Sequence, residues 1–121
     1  MKKSLISLAV VLLVAATLGL VAEEGQEGSW TGEVLDLACY VSHEAHGADH
    51  AGCAKKCVQN GQPMGLLTAD GDVFLLAADH GNGDPYASLK DLGGERAEVT
   101  GVLSEKGGMK MITVKGAKAA G

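Results

Sequence analysis

Aromatic side chains are scarce in this chain: one Trp, one Phe and two Tyr in 121 residues. Proteins that grip single-stranded nucleic acid stack its bases on such rings, so that partner has no platform here. Basic residues are also few. Ten Lys and Arg stand against fifteen Asp and Glu, whereas a phosphate backbone calls for clustered positive charge. No nucleic-acid partner is expected. The chain contains neither Cys-x-x-Cys nor Cys-x-x-Cys-His, which removes support for a thioredoxin-like redox centre or an attached haem. Ser29, Ser42, Ser88 and Ser104 lack a nucleophile-elbow or triad setting. Asp70, Asp72, Asp79 and Asp84 stand where turns favour Asp for backbone reasons. No catalytic constellation emerges, and an enzyme is not expected.

The start of the chain has the three parts of a secretory signal peptide: Lys2 and Lys3, an apolar run over residues 5–21, and the small residue Ala22. That run is shorter than the ~20 residues of a spanning helix. No Cys closes it, so a lipid anchor is not expected. Cleavage after Ala22 would leave a periplasmic or secreted protein with no stable membrane insertion. Taking Lys2 and Lys3 from the ten basic residues leaves eight against fifteen acidic, a mature charge of −7. The remaining chain of about 99 residues fits one domain.

Residues 23–28 are polar and Gly-rich and read as a flexible lead-in, with one domain from residue 29 to residue 121. Trp30, Gly32, Val34 and Asp36 alternate with Thr31, Glu33, Leu35 and Leu37, a strand pattern. A short helix is expected from Asp49 to Gln59, capped by Asp49 and stopped at Asn60-Gly61. Ala69-Asp70-Gly71 between two apolar runs predicts a hairpin. Asp84-Pro85 predicts a helix start, with Tyr86, Leu89 and Leu92 on its apolar side and Gly93-Gly94 at its end. A last hairpin turns at Lys106-Gly107-Gly108. The order is strand, insert, hairpin, helix, hairpin. That order predicts a mainly β fold, a small five-stranded OB-like barrel. A Cys/His-rich helical insert separates strands 1 and 2, and a short helix separates strands 3 and 4.

The chemistry concentrates in that insert. All three cysteines and three of the four histidines fall within it: Cys39, His43, His46, His50, Cys53 and Cys57, at steps of 4, 3, 4, 3 and 4. On one continuous helix they would share a face yet spread over about 27 Å, too far for one ion. Gly47 and Gly52 speak against such a helix, and a turn near Gly47 would fold the two halves together. Thiolate and imidazole donors select Zn or Cu ions over Ca²⁺ and Mg²⁺. His50, Cys53 and Cys57 form the densest unit, Cys39 supplies a fourth ligand, and His43 or His46 assists. The spacing matches no standard zinc signature.

A disulfide competes for the same sulfurs, because cysteines in an oxidising compartment pair. Cys53 and Cys57 are poorly directed toward each other on a helix. Cys39 bridged to either would staple the insert for ~3 kcal/mol, making the domain an interaction module without metal. One cysteine would then remain over. Met109-Lys110-Met111 places two thioethers on one strand face, donors that favour Cu⁺. Together with Trp30 and Met64 they are similar in kind to the set used by small periplasmic OB-fold copper chaperones, though the pair here lies in the last strand. Core filling is the expected role of both. His80, in a Gly/Asn loop, is expected to be solvated.

Four stretches, "TGEVLDLACY", "DHAGCAKKC", "NGQPMGLL" and a late "VTG" strand, resemble a broad group of small exported bacterial proteins with an OB-like domain. The resemblance spans residues 30–114 and singles out the Cys/His segment; it brings no activity with it. The expected function is that of an exported metal-binding carrier or accessory factor that works with an extracytoplasmic protein partner.

Overall fold

The computed structural model describes residues 25–121. The expected signal segment, residues 1–22, and the first residues of the lead-in lie outside the described residues. Five strands close into a barrel: β1 (Gln26–Asp36), β2 (Met64–Thr68), β3 (Val73–Ala78), β4 (Arg96–Lys106) and β5 (Met109–Ala119). Around the barrel they run β1-β2-β3-β5-β4. Only β3 and β5 are parallel; every other pair is antiparallel. This is the OB-type arrangement that the sequence predicts.

β1 closes the barrel by serving two partners. Its first part pairs with β4, from Gln26 opposite Leu103 to Glu33 opposite Arg96. Its second part pairs with β2, from Gly32 opposite Thr68 to Asp36 opposite Met64. Residues 26–28, expected as lead-in, therefore belong to the strand. The long β4 presents backbone groups that would otherwise form an open edge, and these three residues satisfy them.

Alternate positions on the strands face inward, as pleating requires. Val34, Leu66, Phe74, Leu76, Val99, Ile112 and Val114 form the core with Leu89 and Val58 from the helices. Trp30 tilts onto Phe74 with ring centroids 6.0 Å apart. Met109 and Met111, expected to fill the core, face outward instead. Ile112 and Val114 are the inward pair of β5, so the odd-numbered positions fall on the other face, and Met109 is 58% exposed. The buried methionine is Met64.

The β3–β4 connection carries α3 (Asp84–Leu89) and a 3₁₀ turn, Lys90–Leu92. The helix starts one residue earlier than expected. Gly83 is the cap position, and the Asn82 side chain accepts from the Asp84 amide at 3.2 Å. Gly93 and Gly94 end this unit and also bring it against the insert. A Cβ on Gly94 would lie 2.3 Å from the Ala51 Cα, and one on Gly93 would lie 2.6 Å from the Lys55 Cα. Gly94 also holds φ at +79°, a conformation that other residues rarely adopt. The two glycines let the second helix of the insert seat directly on the barrel end. No helix among the described residues is long and apolar enough to cross a membrane.

Candidate metal centre

The site begins with Asp36, the last residue of β1, which is 1% exposed. Its Oδ1 accepts from the amides of Ala38 at 3.0 Å and Cys39 at 3.3 Å. A carboxylate in this position caps a helix by satisfying first-turn donors, and α1 (Leu37–His43) starts there. The cap brings Cys39, in the first turn, back toward the carboxylate. α1 ends at Glu44, which adopts a left-handed conformation and donates its amide to the Tyr40 carbonyl at 2.8 Å.

The chain then reverses at Gly47, as the sequence predicts. Gly47 has φ +87°, and its amide donates to both carboxylate oxygens of Glu33 at 3.0 Å. This tie fastens the loop to β1 across fourteen residues. A 3₁₀ turn (Ala48–His50) leads into α2 (Ala51–Gln59). The helix seats Ala54 and Val58 against the barrel. It stops with the Gly61 amide on the Val58 carbonyl and the Gln62 amide on the Cys57 carbonyl, a Schellman closure. The expected cap at Asp49 is absent: His50 occupies the cap position without a side-chain bond. The 3₁₀ turn leads directly into the helix and supplies its first amides with backbone partners.

These folds bring Asp36, Cys39 and His50 together, with one donor atom from each within 4.8 Å of the others. The Cys57 thiol also faces the Asp36 carboxylate, and Cys53 lies beside Cys57. Burial works to raise the Asp36 pKa. The Cys39 thiol and amide, the Cys57 thiol and the Ala38 amide more than offset it, and the carboxyl titrates below its ordinary value. Reciprocally, the carboxylate as acceptor, aided by burial, pushes the Cys39 thiol up to about 11 and raises Cys57 as well. Neither thiol, a weak donor, completes a bond to the second carboxylate oxygen. Asp36 Oδ2 and His50 Nε2 are the two buried side-chain polar atoms without a hydrogen-bond partner among the described residues.

The remaining predicted donors lie apart from that tight group. Cys57 is half-buried at its edge, and Cys53 is exposed. His43 is exposed on the last turn of α1. His46 is exposed and stands edge-on to the Tyr40 ring, 5.8 Å between centroids. No S–S bond links the cysteines. His80 is exposed. Asp36 is the donor that sequence reasoning missed, because it fits the strand alternation. The available signal was an Asp directly before the Leu37-Ala38-Cys39-Tyr40 run, the position of a helix cap.

Comparison with protein-family models, curated proteins and solved structures finds no significant match. The fold and the site describe an OB-type barrel whose β1–β2 insert assembles a mixed carboxylate, thiol and imidazole group that could hold a metal ion. Such groups occur in zinc and other borderline-metal sites.

Proposed function

We propose that this protein is an exported metal carrier that binds one Zn²⁺ through Asp36, Cys39, His50 and Cys57. One observation carries the reading. Asp36 and His50, each with a buried polar atom that has no partner, stand with the Cys39 thiol in a single group. Orphaned polar atoms cost about 1–3 kcal/mol each, and a cation shared between them offsets that cost.

Donors around a tetrahedral Zn²⁺ lie about 3.3–3.8 Å apart, given bond lengths near 2.0–2.3 Å. The donor atoms of Asp36, Cys39 and His50 lie within 4.8 Å of one another, so side-chain shifts would bring these three onto an ion, with Cys57 at the edge of the group as the fourth. The carboxylate favours Zn²⁺ over Cu⁺, which prefers thiolate and thioether donors. Met109 and Met111 belong to β5 and not to the group, which removes the main argument for copper. Half-buried Cys39, His50 and Cys57 leave the ion open to exchange, which suits a carrier better than a sealed structural site. The signal-like start of the chain supports an extracytoplasmic setting.

A nucleophilic cysteine needs a lowered thiol pKa. Here Asp36 does the opposite to Cys39 and Cys57, which argues against a thiol enzyme. The rival reading, a disulfide-stapled module without metal, is favoured by the same two sulfurs facing one carboxylate. Protein purified from the periplasm separates the two. The carrier gives one equivalent of zinc by elemental analysis and three free thiols after denaturation in chelator. No metal and a single free thiol would establish the disulfide module.

A further inference from the structure

The donors of the insert are graded by depth. Asp36 is buried, Cys39, His50 and Cys57 are half-buried, and Cys53 is exposed. Cys53 stands one turn before Cys57 on α2, on the same helical face, and its sulfur lies beside that of Cys57. The outermost thiol is thus continuous with a group that contains a buried, unpartnered carboxylate oxygen. Three residues further on, on the same side of α2, stands Lys56, exposed and without an ion pair among the described residues.

Resting on the metal reading above, we propose that Cys53 is the exchange ligand of the site. Through it the ion passes to or from a partner that presents thiolate or imidazole donors beside an acidic group facing Lys56. The step is a ligand substitution with no change of oxidation state. Cys53 releases its thiol proton to solvent as its sulfur bonds to the ion. The bond to Cys57, the inner donor beside Cys53, opens, and its sulfur regains a proton. The incoming ligand then takes the ion from its outer side.

The test is stopped-flow transfer of Zn²⁺ from the loaded full-length mature protein to excess chelator, anionic EDTA in one arm and a neutral chelator in the other. Cys53→Ser is expected to keep one equivalent of zinc and the wild-type affinity. Its transfer rate falls about tenfold in both arms, the low end of what removing an outer partner of a metal site costs. Lys56→Glu is expected to slow transfer to EDTA and flatten its salt dependence, with the neutral arm unchanged. An unchanged Cys53→Ser rate overturns the exchange role while leaving the metal reading intact. A Cys53→Ser protein that holds no zinc overturns it too, by making Cys53 an inner ligand. A wild-type protein that takes up no Zn²⁺ sinks both.

Discussion

The barrel and its insert are held together by different physics. The barrel is specified redundantly: each strand repeats an inward apolar position, and pairing on both sides satisfies its backbone. Leu66, Val99, Ile112 and Val114 are all fully buried, and each could be shortened without changing the topology. The insert, from α1 through α2, buries only Ala54 and Val58 from its two helices. Its shape depends on single points: the Asp36 cap, the Glu33–Gly47 tie and the close seat of α2 on Gly93-Gly94. A region built on repeated hydrophobic contacts tolerates change gradually. A region built on a few polar contacts is free to present donors and is sensitive at each of them.

That contrast predicts separable failures. Leu66→Ala is expected to have the largest effect, a loss of about 3 kcal/mol from transfer and cavity costs. Zinc stoichiometry should stay unchanged at low temperature, and thermal melts with metal analysis check both. Asp36→Asn comes next. Asn still caps helices well, so the metal-free melting temperature should shift little. Zinc affinity, by competition with a chromophoric chelator, should fall about a hundredfold once the anionic donor is gone. A collapse of the fold instead would mean that the carboxylate charge is structural.

The thiols give a pH effect of intermediate size. Cys39 and Cys57 must lose protons to bind metal, and both are held above the ordinary thiol range. Zinc affinity should therefore drop as pH falls, about tenfold per unit for each thiolate engaged. Without metal, the linkage runs both ways. The raised Cys39 supports the fold below the ordinary thiol pKa and loses that support as pH climbs through about 11. The lowered Asp36 supports it above the ordinary carboxylate pKa and loses that support as pH falls through its folded value. Urea titrations across pH measure both limbs. Smallest of all, His43→Ala and His46→Ala should leave zinc affinity within about twofold, in contrast with a true second-sphere partner. A larger loss would place either histidine on the ion and weaken the assignment of Cys57.

Much of the barrel was legible in the chain. The Ala69-Asp70-Gly71 and Lys106-Gly107-Gly108 turns fall where expected, between strands whose apolar alternation reads directly. The insert was legible only as a location. The steps of three and four brought six donors to notice, with His50, Cys53 and Cys57 foremost, yet α1 and α2 separate at Gly47 and sort them differently. His43 and His46 end on the outside, and His50 folds back to Cys39. Asp36 was hidden because a polar residue at the end of an alternating strand resembles a surface position.

By itself, the sequence determined the five strands, their order, the helices α2 and α3 and the stretch that bears the donors, though not α1, because strand alternation, turn residues and helix stops act over a few neighbours. Tertiary structure alone decided which face of β5 turned its methionines outward and which donors met. Those outcomes depend on contacts between distant residues, such as Glu33 with Gly47 and Gly94 with Ala51. No local pattern encodes them.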